Sequence, residues 1–101
     1  MKTGKAAKML DVDPKTVTNW TDVKEFEEFF SLSALGKDGK TQRDYLDSDV
    51  LVLNTIRAER SRGANWSDIA NMLKGGHREV DLPPAALTVD IGTAPIAQYA
   101  K

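Results

Sequence analysis

Two short amphipathic helix patterns, separated by a turn of a few residues, constrain the fold of this chain most. The first pattern runs from Thr3 to Leu10 and has Thr3 as its predicted N-cap. The second begins at Asp13, which can accept a hydrogen bond from an early backbone N–H, and Pro14 suits the first helical position. Two helices joined in this way form a helix-turn-helix. This stretch therefore predicts a mainly α domain.

The second predicted helix separates its polar residues from its apolar ones. At about 100° per residue, Val17 and Trp20 fall on one face. The opposite face carries Lys15, Thr18 and Asn19. In the major groove, asparagine can pair with adenine and lysine can reach guanine acceptors. We therefore interpret this face as a DNA-binding surface, against the alternative of ordinary helix surface.

Three further helical segments are predicted. Asp22 precedes Glu25 as in a capping box, and this favours a short acidic helix over residues 22–30. A longer helix runs from residue 47 or 48, either of which can cap it, to about residue 62. The last helix spans about residues 67–74.

The segment between the acidic helix and the long helix has the pattern of a β-hairpin. It reads SLSALGKDGKTQRDYLD, which is an alternating run, a glycine-containing turn and a second short run. Lys37 and Lys40 lie at the predicted tip and Arg43 follows it. Basic residues on such a hairpin can bind DNA phosphates. The predicted fold is therefore a winged helix-turn-helix with four to five short helices and a small β-hairpin wing.

Three motifs resemble, in order, those of the MerR family. TGKAAKMLDVDPKTVTNW has the spacing of the MerR-type DNA-binding motif, RDYLDSDV resembles the family's Arg-x-Tyr-x-x-x-Asp-hydrophobic exit from the wing, and GANWSDIANML is similar to its Gly-led final helix. The resemblance covers about residues 3–74. It implies sequence-specific binding of double-stranded DNA by a transcriptional regulator, with a recognition helix in the major groove and a wing on the phosphate backbone.

The resemblance also implies which residues contact DNA. Lys15, Thr18 and Asn19 match exposed positions of the family's recognition helix. Arg43 and Tyr45 match wing residues that contact the DNA backbone. The full predicted set is Lys15, Thr16, Thr18, Asn19, Lys37, Lys40, Arg43 and Tyr45. The chain departs from the family pattern in having several more residues between Trp20 and Arg43 and no long dimerising helix after the DNA-binding unit.

Residues 75–101 are predicted to form a Pro-containing linker or tail after a DNA-binding domain over residues 1–74. The apolar residues of this tail, Leu82, Leu87, Val89 and Ile91, can add a strand or dock on a partner. Thr93-Ala94-Pro95 resembles a helix start, but a single turn is not stable alone. We therefore expect a longer form of the protein that continues this helix and forms a homodimer, and a mainly monomeric 101-residue chain.

Composition narrows the other classes of function. The chain has 101 residues, no cysteine and a formal net charge of −1, so it forms one small domain without thiolate metal sites. His77 is the single histidine, which excludes a multi-histidine metal site, and no glycine loop is placed to cradle phosphate. These features predict no enzyme, no cofactor and no small-molecule effector. Without a membrane-span pattern or a signal peptide, the expected location is the cytoplasm.

Two alternatives to a transcriptional regulator stay open. The same domain type serves plasmid or phage proteins for DNA segregation, excision or packaging. From another class, a protein–protein interaction module can use the acidic helix and the apolar tail. A gel shift on random duplexes at low salt separates DNA binding from that module.

Overall fold

Five α-helices and one 3₁₀ helix make up the regular structure of residues 1–84, which are the residues that this computed structural model describes. In chain order they are α1 (Thr3–Leu10), α2 (Pro14–Thr21), the 3₁₀ helix (Lys24–Phe29), α3 (Leu32–Leu35), α4 (Asp47–Ser61) and α5 (Trp66–Lys74). No β-strand occurs between residues 1 and 84. The prediction of a mainly α fold is confirmed.

The helix-turn-helix forms where the sequence predicted it. α1 buries Ala6, Ala7 and Leu10, and its small alanines allow α2 to approach closely. Asp11 ends α1 in the left-handed region at φ 56°, which aspartate tolerates better than most side chains. The Asp13 side chain then accepts the backbone N–H of Lys15 at 2.8 Å, as an N-cap does.

The start of α1 differs from the prediction. Its N-cap is Lys2, whose side chain makes no capping hydrogen bond, and Thr3 is already helical. The backbone N–H groups of the first turn are thus not capped by a side chain. This leaves the positive end of the helix dipole uncompensated, because α1 also has no acidic residue in its first turn.

α4 is the longest helix and lies at the centre of the core. Its inner face contributes Val50, Val52, Leu53 and Ile56 to one apolar cluster with α1, α2, α5 and the 3₁₀ helix. α5 starts at the N-cap Asn65, whose side-chain oxygen accepts the N–H of Asp68 at 2.8 Å. The core thereby holds α1 and α2 in a fixed orientation.

An aromatic contact closes the other side of this core. The ring of Trp66, at the start of α5, meets Phe26 of the 3₁₀ helix edge to face, with centroids 5.4 Å apart and an interplanar angle of 86°. The Arg60 guanidinium lies over the same indole, 4.5 Å from its centroid. These contacts join α4, α5 and the 3₁₀ helix.

The predicted β-hairpin is absent from residues 31–46, so the prediction of a small β wing was wrong. Ser31 instead caps α3 by accepting the N–H of Ala34 at 3.2 Å, and Gly36 ends α3 at φ 74°. The second arm of the expected hairpin pairs elsewhere, because the backbone of Tyr45 exchanges two 2.7 Å hydrogen bonds with Met1. The arms are thus joined only by the 3.1 Å bond from the Asp44 N–H to the Ser33 carbonyl, among backbone bonds of residues 31–46.

A buried carboxylate on α4 explains why this segment is not a hairpin. Asp49 accepts the backbone N–H of Ser31 at 2.8 Å and its hydroxyl at 2.6 Å, and it also accepts the N–H of Leu46 at 2.8 Å. Asp49 is 1% exposed, although the sequence favoured capping and solvated acids for the cluster at residues 44–49. One side chain therefore fixes both ends of residues 31–46.

Two predicted helix starts also differ. Asp22 does not cap the acidic segment, which is a 3₁₀ helix with Val23 at its N-cap and no side-chain cap. The long helix has Leu46 at its N-cap rather than Asp47 or Ser48, because the Asp49 carboxylate takes the Leu46 N–H.

Contacts to α4 continue beyond the predicted domain end at residue 74. The Asn54 side-chain amide donates to the carbonyls of Glu79 and Asp81 at 2.8 and 3.1 Å, and the Glu79 N–H donates to the Thr55 hydroxyl at 2.8 Å. Leu82 packs against the core. We call residues 77–82 the C-terminal strap. The predicted apolar tail residues from Leu87 onward, and the predicted helix start at residues 93–95, lie outside the described residues.

Candidate nucleic-acid interface

α2 presents one buried and one exposed face, as its sequence pattern predicts. Val17 and Thr21 are fully buried. The Thr21 hydroxyl has a hydrogen-bond partner within the helix, because it donates to the Val17 carbonyl at 2.7 Å. On the opposite side, Lys15 and Asn19 are exposed. Neither of their side chains makes a hydrogen bond or ion pair within residues 1–84, so both are available to a ligand.

The two threonines of the predicted set are less exposed than their neighbours. Thr16 and Thr18 are half-buried, and the Thr18 hydroxyl donates to the Lys15 carbonyl at 3.0 Å. That hydroxyl keeps acceptor capacity and its methyl group stays available, so Thr18 can still contribute to the surface.

An open cleft joins α2 to the start of α1 and to the segment before α4. Its lining residues are Lys2, Thr3, Gly4, Thr18, Gln42 and Arg43. The structure thus brings together Thr18 and Arg43, which the sequence assigned to different DNA-contacting elements. Two cations, Lys2 and Arg43, and the uncapped first turn of α1 line the cleft.

The sequence prediction did not include Lys2 and Gln42. Their signal was weak, because Lys2 only precedes a helix and Gln42 lies inside the supposed hairpin. For Lys2 the available signal was the absence of an acidic residue at the start of α1. Gln42 could not be predicted, since its place depends on the Tyr45 backbone pairing with Met1.

Both Arg43 and Lys37 form ion pairs with acidic residues. The Arg43 Nη1 lies 2.9 Å from the Asp22 Oδ1, although this nitrogen has no partner in hydrogen-bond geometry among the described residues. Burial opposes the charge of Arg43, but the attraction of Asp22, with a smaller contribution from Tyr45, outweighs it and raises the pKa of the guanidinium. Lys37 pairs with Glu27 at 2.5 Å, and its hydrogen bond and charge lower the pKa of that carboxyl.

The remaining two predicted loop residues differ in exposure. Lys40 is exposed, and its backbone N–H donates to the Asp38 carboxylate at 3.2 Å. Tyr45 is 1% exposed, and its buried hydroxyl has no hydrogen-bond partner in the described part of the chain. The Tyr45 ring is therefore a core residue, and we leave it out of the exposed surface.

Across residues 1–84, no three or more histidine and carboxylate side chains are grouped so as to hold a metal ion. None of the helices within that range combines the length and apolar character that crossing a membrane requires.

Comparison with known families agrees with this geometry. The family model described as MerR HTH family regulatory protein matches residues 1–76, which include both helices of the helix-turn-helix, the cleft and α5. Searches of curated proteins and of solved structures found no match. Because the family model covers most of the chain, the assignment rests on the whole domain rather than on the two short helices alone. The chain belongs to the MerR helix-turn-helix family of regulatory proteins.

Proposed function

We propose that this protein binds double-stranded DNA sequence-specifically, as the DNA-binding part of a transcriptional regulator. α2 lies in the major groove, where Lys15 and Asn19 contact base edges. The observation that carries the proposal is the exposed polar face of α2 beside a cleft that Lys2 and Arg43 line. Membership of a DNA-binding regulatory family supports it.

The cleft supplies the contacts that position α2. Lys2 and Arg43 bind phosphates on one side of the recognition helix, and the uncapped N–H groups at the start of α1 add to this attraction. Phosphate contacts carry no sequence information but fix the register of the helix in the groove. Residues 36–43 take the place of the predicted wing, with Lys37 and Lys40 at the outer end of this loop.

The experiment is in vitro selection from a random duplex pool, followed by titration of the selected site. The variant K15A/N19A should lose about 10-fold or more in affinity for that site, because each lost base contact costs about 1–3 kcal/mol. Its affinity for random duplex should change much less. Circular dichroism should be unchanged, since both side chains are exposed.

A matched control is available on α5. Lys74 and Asn71 are also exposed, so K74A/N71A removes the same two side-chain types and the same charge from another helix. This control should bind the selected site like the parent. Equal losses in both variants would show that α2 is not the reading helix, and selection that yields no preferred sequence would contradict sequence-specific binding.

A second titration tests the cleft. Lys2→Ala and Arg43→Ala should each weaken binding to selected and random duplexes alike. Lys2→Ala should flatten the dependence of log K on log salt by about 0.9, and Arg43→Ala should flatten it by less, because Arg43 leaves the Asp22 carboxylate when it binds phosphate. A variant that changes the preferred bases while keeping the salt slope would contradict a phosphate role.

A further inference from the structure

Two acidic residues lie directly against the cations assigned to DNA phosphate. Asp22 follows α2 and contacts Arg43, and Glu27 lies in the 3₁₀ helix and contacts Lys37. Both cations belong to the loop at residues 36–43, and both acids belong to the segment that leaves the recognition helix. We call these two contacts the loop ion pairs.

The stability of α2 does not explain why an acidic residue, Asp22, follows this helix. It occupies the C-cap of α2, where the negative end of the helix dipole disfavours a carboxylate, and α2 has no basic residue in its last turn. It also makes no capping contact to the 3₁₀ helix that follows. Its contact with Arg43 is what offsets this unfavourable position.

We propose that Asp22 and Glu27 act as intramolecular competitors of DNA phosphate for Arg43 and Lys37, and so lower the affinity of this surface for DNA. The inference rests on the proposed DNA-binding function. In the free protein the two cations are ion-paired. When DNA binds, each cation must leave its carboxylate, and the released carboxylate then lies close to the phosphate backbone and repels it.

The loop ion pairs also affect the salt dependence of binding. DNA loses condensed counterions when free cations neutralise its phosphates. A cation that leaves a carboxylate to bind phosphate gives a smaller net release, because the carboxylate takes up a cation from solution. Removing the two carboxylates should therefore strengthen binding and steepen its salt dependence.

The test compares two double variants that change the net charge equally. D22N/E27Q removes the loop ion pairs. E25Q/E28Q removes two exposed acids that form no ion pair within the described residues. Since an exposed pair contributes little, D22N/E27Q should bind duplex DNA about threefold to tenfold more tightly than E25Q/E28Q at low salt. The difference in affinity should shrink as salt rises, because D22N/E27Q has the steeper slope of log K against log salt.

Each outcome decides a different question. If the parent and E25Q/E28Q bind DNA and D22N/E27Q binds no better than E25Q/E28Q, the competition is disproved while DNA binding stands. Weaker binding by D22N/E27Q would show that the pairs position the loop for DNA, which also overturns the inference. If neither the parent nor any variant binds duplex DNA, the proposed function itself fails. Thermal unfolding of each variant checks that all are folded.

Discussion

α2 and α4 both carry polar side chains along their length, but the two helices use them in opposite ways. On α2, Lys15 and Asn19 are exposed, and their side chains make no hydrogen bond or ion pair within residues 1–84. On α4, Asp49, Asn54 and Thr55 are buried, at 0 to 1% exposure, and each is hydrogen-bonded to another part of the chain. Polar residues on a helix can thus form a binding surface or anchor neighbouring segments.

The difference follows from what covers each helix. Buried polar groups need hydrogen-bond partners, and α4 finds them in irregular segments whose backbone would otherwise be unsatisfied. The loop before α4 and the C-terminal strap are held in this way. The polar face of α2 has no such segment above it, so its donors stay free for a ligand.

The largest expected effect comes from the buried carboxylate. Asp49→Ala should lower the free energy of unfolding by about 3–5 kcal/mol, because three donors from Ser31 and Leu46 lose their acceptor. The control Asp47→Ala removes an exposed acid from the same first turn and should cost less than about 1 kcal/mol. Urea unfolding measures both. Similar losses in the two variants would contradict a special role for Asp49.

A matched asparagine pair compares the two helices directly. Asn54→Ala should cost about 2–3 kcal/mol, since the carbonyls of Glu79 and Asp81 lose their donor and Arg57 loses an acceptor. Asn19→Ala should stay within about 0.5 kcal/mol of the parent. Urea unfolding gives the comparison. A small loss for Asn54→Ala would mean that the C-terminal strap adds no stability to the domain.

The polar side chains of α2 and α4 also show which features the sequence could predict. The signals that predicted α1 and α2, such as Asp13 before Pro14, lie within a few residues of the helices that they delimit. The anchoring role of Asp49 depends on Ser31, 18 residues away, and that of Asn54 on Glu79 and Asp81, 25 and 27 residues away. No local pattern encodes such partners.

The same limit explains why the loop of the candidate site differs from the predicted hairpin. Exposure of Lys15 and Asn19 followed from helical periodicity, so their position needed only the helix itself. The position of the loop depends on a long-range backbone pairing between Tyr45 and Met1. Because of this pairing, the predicted second arm of the hairpin is an inner segment and the Tyr45 ring is buried. The partners of the loop cations, Asp22 and Glu27, were not predictable for this reason.

Substituting one threonine on each helix tests the same contrast between α4 and α2 with a smaller expected effect. Thr55→Val should cost about 1–2 kcal/mol, because the Glu79 N–H then lacks its acceptor in a partly buried site. Thr18→Val removes a hydroxyl that bonds only within its own helix, so the loss should stay within about 0.5 kcal/mol.

Hydrogen exchange adds a local readout for this pair. The Glu79 amide should exchange faster in Thr55→Val than in the parent, and Thr18→Val should leave its rate unchanged. An unchanged Glu79 rate in Thr55→Val would show that the strap is held without this hydrogen bond.

The smallest effect is expected for an exposed carboxylate, Glu27, in contrast to the buried Asp49. Its hydrogen bond with Lys37 lowers the pKa of Glu27 in the folded protein below its unfolded value, which is about 4.3. The contribution of this pair to stability is therefore present above that pH and is lost as the pH falls through the lower, folded-state pKa. Because both side chains are half exposed to solvent, the contribution is small.

Urea unfolding of the parent, Glu27→Gln and Glu28→Gln between about pH 2 and 6 measures this contribution, since the window brackets the ordinary pKa of glutamate. Glu27→Gln should be slightly less stable than the parent at the upper end, and the two should converge as the pH falls. Glu28 forms no ion pair within residues 1–84, so Glu28→Gln should follow the parent throughout. A constant gap between Glu27→Gln and the parent across this range would mean that the loss has no electrostatic origin. Lys37 would then gain nothing from the pair, and the competition with DNA phosphate would rest on the Asp22 carboxylate and Arg43 alone.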